Sequence, residues 1–174
     1  MRWLCLAVGT PAALSAKRHD DRLRTLDQHL ETLLDEGIVR SETFRSLVRR
    51  LTGGDVIVYI RYETLPPGVH GRLAFLTANS GVRYVLVAVT PDLDALRSIV
   101  VLGHELRHAV EVLEQPQIVD QETFASAYEH GSYRRRQFAD GRTGFDTIAA
   151  VHAGVAVWKE LSMSPLAAPV MGTR

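Results

Sequence analysis

The sequence predicts an α+β domain in which a small, three-stranded, largely antiparallel sheet packs beside one buried helix and several flanking helices. Three observations carry that expectation. Residues 99–113 are dense in apolar side chains and long enough to form a buried helix. Residues 55–62, 72–76 and 83–89 are short runs rich in β-branched and aromatic side chains, as strands are. Amphipathic patterns of helical period lie on both sides of this block.

Between residues 20 and 36, Leu23, Leu26, Leu30, Leu33 and Leu34 recur at helical spacing among charged residues, and Gly37 follows as a stop signal. Ser41 is a good N-cap for a second helix with the apolar stripe Phe44, Leu47, Val48 and Leu51, ended by Thr52-Gly53-Gly54. Pro66-Pro67-Gly68 and Asn79-Ser80-Gly81 punctuate the strands, and the short second link predicts an antiparallel hairpin. Asp92 is placed to cap the buried helix, which runs to about Glu114 with Pro116 just beyond. Helical patterns follow near residues 120–129 and 146–161, separated by a polar, glycine-containing loop.

At 174 residues, 46% hydrophobic and 23% charged with zero formal net charge, the chain reads as one domain with a substantial core. It lacks the basic excess that phosphate binding requires, and Arg134-Arg135-Arg136 reads as a solvated loop, so no nucleic-acid partner is expected. Residues 1–16 have the layout of a signal peptide: Arg2, a short apolar core from Trp3 to Val8, then small residues before Lys17. The expected product is therefore exported, periplasmic or extracellular, with residues 17–174 forming a single metal-binding domain. Cys5 would leave with the signal, taking disulfide and thiol chemistry with it. No later stretch is long and apolar enough to span a membrane.

Within the buried helix stands His104-Glu105-Leu106-Arg107-His108. On a helix the two imidazoles lie one turn apart on a shared face, as two ligands of a tetrahedral Zn²⁺ must. The intervening Glu105 is then placed as general base toward a metal-activated water. This segment resembles the HExxH motif of the zincin metallopeptidases. The family pattern asks for uncharged residues between the glutamate and the second histidine; Arg107 departs from it, its long stem able to pack while its head reaches water. The element order over residues 55–161 is similar to that of small gluzincin-like members, and implies a zincin-like domain with Zn²⁺ as cofactor.

Zinc in a hydrolase takes three protein ligands and keeps one position open. Without a thiolate, the third donor falls among Glu111, Glu122, Glu129, His130, Asp146 and His152. Glu111 shares the helix face of His108 and is better suited to orient an imidazole than to bind the ion. Glu122 and Glu129 lie opposite Phe124 and Tyr128, and point to water if those aromatics enter the core. Asp146 heads the stripe Ala150, Ala153, Val157 and Leu161, and is the leading candidate, with an N-cap as its competing role. The chain is also similar to short bacterial proteins with His-Glu-Leu-x-His-Ala-x-Glu and a downstream Phe-Glu-Thr; here the latter reads Phe145-Asp146-Thr147, so the resemblance implies the same donor position with a carboxylate one methylene shorter. Tyr128, Tyr133, His130 and His152 are candidate oxyanion donors that sequence does not separate.

The expected activity is zinc-dependent hydrolysis of a peptide or protein substrate, with His104, His108 and Asp146 on the metal and Glu105 catalytic. Its rivals are a catalytically inactive metal-binding or interaction domain and a helical scaffold without metal. If residues 1–16 act as a signal, N-terminal sequencing of the protein recovered from its native cell should begin at Ala16 or Lys17; an intact Met1 would remove that expectation.

Overall fold

The computed structural model describes residues 22–131, 134–137 and 143–163. The expected signal peptide, Cys5 and Tyr133 lie outside the described residues.

Leu23–Arg24 forms a short strand, β1, ahead of helix α1, Gln28–Arg40. The helix starts later than its leucine spacing predicts because Asp27 caps it, accepting from the backbone N–H groups of His29 and Leu30. Gly37, expected to stop this helix, lies inside it. A Cβ at that position would stand 3.0 Å from Ile99 Cγ2 and 3.0 Å from Phe44 Cδ1, so the glycine serves close packing and not termination. Ser41 ends α1 and caps α2, Glu42–Thr52, whose inner face buries Phe44, Leu47, Val48 and Leu51 as predicted.

Three further strands, β2 (Val56–Tyr62), β3 (Gly71–Asn79) and β4 (Val82–Val89), join β1 in a four-stranded sheet of order β1-β2-β4-β3. The β1–β2 and β2–β4 pairs are parallel, and β3–β4 is antiparallel. This corrects the expected three-stranded, largely antiparallel sheet. The predicted hairpin is present, with Ser80 and Gly81 at φ 50° and 76°, the left-handed conformation that suits a two-residue turn between twisted strands. The longer 63–70 link, however, carries the chain past the end of β4, so β3 takes the edge and β4 lies inside. Val85, Leu86, Val87, Ala88 and Val89 are all buried, the continuous apolar run of a strand with neighbours on both sides.

Helix α3, Ala95–Glu114, packs against β2, β3 and β4 and against α1, α2 and α5, Ile148–Met163. Its N-cap is Asp94, which accepts from the Arg97 N–H; Asp92, the expected cap, sits in the preceding turn. Helix α4, Gln121–Gly131, follows. The expected loop beyond it contains instead an antiparallel hairpin of β5, Arg134–Gln137, and β6, Thr143–Asp146. The arginine run thus sits in a strand. Helix α5 is tied to the first turn of α2 by Glu160, which accepts from the Thr43 N–H at 3.0 Å and the Thr43 hydroxyl at 2.7 Å. Among the described residues no helix is long and apolar enough to cross a membrane.

Arg83 closes the far end of α3. Its side chain, 4% exposed, donates through Nη1 to the carbonyls of Val112 (2.6 Å) and Gln115 (2.8 Å), while Nη2 and Nε hold Asp55 at 2.7 and 2.9 Å. One guanidinium satisfies helix-end carbonyls and joins β4 to the start of β2. The Arg83 hydrogen bond holds the Asp55 carboxyl below its ordinary value of 3.8, against a smaller opposing effect of burial. A depressed carboxylate contributes stability above its ordinary value and loses it as pH falls through the folded one. Arg83→Ala should therefore cost about 2–3 kcal/mol at neutral pH, and the gap to the parent in denaturant midpoint should narrow below pH 3.8; a deficit independent of pH would show that Asp55 plays no part.

Candidate metal centre

Helix α3 sets His104 and His108 one turn apart, with ring centroids separated by 4.9 Å. Gly103 lets α5 approach that turn closely: a Cβ there would fall 2.9 Å from Val157 Cγ2, whereas one on Gly154 would make ordinary contact, 3.5 Å from the Cβ of His104. Asp146, the last residue of β6, completes the group: its Oδ1 lies 3.4 Å from His104 Nε2 and 3.8 Å from His108 Nε2.

The ligating atoms of these three residues all lie within 4.8 Å of one another, and they could hold a metal ion. Donors around a tetrahedral ion at bonds of about 2.0–2.1 Å stand about 3.3 Å apart, so both aspartate–imidazole distances are near the required size. Asp146 Oδ1 is moreover buried and accepts no hydrogen bond. Burying a carboxylate oxygen without a partner is costly, and a cation between it and two imidazole nitrogens would remove that cost. The shorter aspartate reaches because it projects from the end of a strand. It does not cap α5; the hydroxyl of Thr147 does, accepting from the Ala150 N–H at 3.1 Å.

Glu111 orients one imidazole of the cluster, as its position one turn beyond His108 predicts. Its Oε2 accepts from His108 Nδ1 at 2.8 Å, which turns Nε2 toward Asp146. Its other oxygen accepts from the Thr147 hydroxyl at 2.6 Å, and the Tyr128 hydroxyl donates to Oε2 at 3.2 Å. Burial pushes Glu111 upward, but the bonds from His108 and Thr147 outweigh it and hold the carboxyl below its ordinary range. For His108 burial acts downward and is overcome by Glu111, so its pKa rises. His104 goes the other way, lowered first by burial and then by the charge of His108, which favours the neutral form a ligand requires.

Glu105, 5% exposed, lies among these groups. Burial raises its carboxyl to about 7, opposed by His108 and reinforced by Asp146 and Glu111. Gly71 at the start of β3 makes room for it: a Cβ there would stand 2.7 Å from Glu105 Oε1 and 2.5 Å from Val101 Cγ1. Arg107 pairs with Glu114 at 3.0 Å, and its Nε lies 3.9 Å from Glu111 Oε1.

The remaining candidates separate cleanly. Glu122, Glu129, His130 and His152 are exposed, and His130 Nδ1 bonds the Ser126 carbonyl at 2.8 Å. Tyr128 is buried, and its hydroxyl, shared between Glu111 and the His108 carbonyl, braces α3. Two contributors were not anticipated from sequence. Thr147 carried a signal, a hydroxyl residue directly before an apolar helical stripe; Gly71 carried none, because its role depends on a residue 34 positions away.

His104, Glu105, His108 and Asp146 open into a cavity of about 960 Å³ between the 63–73 segment and α5. Since Thr147 both caps α5 and holds Glu111, Thr147→Val should weaken Zn²⁺ binding about 10–100-fold in competition with a chromophoric chelator, and Thr147→Ser should restore it. Equal affinity in all three proteins would disconnect Thr147 from the site. No family model, curated protein or solved structure matches this chain.

Proposed function

We propose that the protein is a zinc-dependent hydrolase acting on peptide bonds. The observation that carries this reading is the buried, unpartnered Asp146 Oδ1 facing His104 Nε2 and His108 Nε2, beside a second buried carboxylate, Glu105, that is no part of the donor set. Three neutral or anionic donors of this kind suit Zn²⁺ and leave a fourth position open. When bound, the ion supplies Lewis acidity, which lowers the pKa of water and polarises a carbonyl.

The chain's own residues do the rest. His108 gives its Nδ1 proton to the hydrogen bond with Glu111 and so presents the Nε2 lone pair. Glu105 takes the proton of the attacking water and returns it to the departing amine, the double use expected of a buried carboxyl. β3 is an edge strand of the sheet, and its first residues Gly71, Arg72 and Leu73 line the cavity, so an extended peptide can add to that edge by main-chain hydrogen bonds. The resemblance of residues 104–108 to the zincin motif, and of the element order to gluzincin-like peptidases, supports the same reading. An exported location goes with the signal layout of residues 1–16.

Glu105→Gln should keep stoichiometric zinc and lose about 10²–10⁴-fold in kcat/KM on a mixed-peptide substrate. Chelation should abolish cleavage and lower Tm, reversibly on adding Zn²⁺. Equal turnover in the variant would remove Glu105 as the base. A fully zinc-loaded protein that cleaves no peptide would make this a binding domain.

A further inference from the structure

Helix α5 is apolar on two faces. Ala150, Ala153, Val157 and Leu161 fill the core, as a helix packed on α3 requires. A second ridge, Val151, Val155 and Trp158, runs at i, i+4 and i+7 along the cavity wall. Val155 and Trp158 stay 47% and 46% exposed there. Single exposed apolar residues are ordinary, but three in helical register inside a cavity that also holds buried titratable groups mark a ligand surface.

The position of the ridge connects it to the reacting centre. Gly154, between Val151 and Trp158 in the chain, faces His104, its Cβ position 3.7 Å from His104 Nδ1. A side chain laid along the ridge therefore lies next to whatever the metal ligands hold. Across the cavity Arg72 pairs with Glu63, which balances the charge of that wall, while its buried Nε has no hydrogen-bond partner.

We propose that the Val151–Val155–Trp158 ridge is the specificity subsite of the cavity and receives a bulky apolar side chain, of leucine or phenylalanine size, from an extended peptide. The assignment rests on the hydrolase reading for the peptide nature of the ligand; the apolar selectivity comes from the ridge itself. Trp158 supplies the largest surface and determines the preference, and Val151 and Val155 set its depth.

The test separates binding from turnover. Capped tetrapeptides that differ only in carrying leucine or glycine at one central position are titrated into the ¹⁵N-labelled Glu105→Gln protein, with and without Zn²⁺, following the Trp158 indole N–H. The leucine peptide should bind at least about tenfold more tightly. Trp158→Ala, with Zn²⁺ stoichiometry unchanged, should reduce the difference to near unity, read by backbone amide shifts along α5. Equal affinity for the two peptides, or no response to either, would overturn the assignment. Selective binding together with a wild-type protein that cleaves neither peptide would sink the hydrolase reading and leave the subsite standing.

Discussion

The close approach of α3 and α5 is the constraint on which the rest of the molecule depends. Gly103 against Val157 and Gly154 against His104 bring two helix backbones together at the turn that carries both histidines. A side chain at Gly103 would meet Val157 and press α5 outward, and with it Thr147 and Asp146, which enter at its N-terminal end. Main-chain packing thus fixes the separation of groups whose side chains have little reach of their own, as a metal site requires.

Four titratable side chains, His104, Glu105, His108 and Glu111, share one stretch of α3, and most of them are buried. Left unpaired, such groups would oppose folding by several kcal/mol each. The structure offsets that cost with specific partners: Glu111 takes bonds from His108, Thr147 and Tyr128 and so stays ionised, while Glu105 yields to burial and rises toward neutrality. Two carboxylates six residues apart on one helix are driven in opposite directions by their surroundings. Divergence of that kind is typical of places where protons are moved.

Much of this was legible in the sequence because it depends on local period. The two histidines and Glu105 on one helix, the orienting role of Glu111, the buried stripes of α2 and α5 and the hairpin at Ser80-Gly81 all follow from spacings within a few residues. The misreadings were tertiary. Gly37 was mistaken for a helix end because its need for a bare Cα is created by Ile99 and Phe44, far along the chain. The parallel β1–β2 and β2–β4 pairs join segments well separated in the chain, which no local spacing specifies, although the unbroken apolar run at residues 85–89 indicates an interior strand. Asp146, the candidate third donor, does join the two histidines, but from a strand terminus and not from the head of a helix.

Asp146 enters the cluster from a two-stranded hairpin that belongs to neither the main sheet nor the helical layer. Ribbons of two strands are marginal when isolated. Any cation captured at this place would therefore act as a clasp, pinning an outlying flap to the central helix, and its measured affinity would contain the work of fastening that flap. Loading and local ordering would then be one thermodynamic event, with scarcity of the ion felt first as loosening of the ribbon and only afterwards in the core.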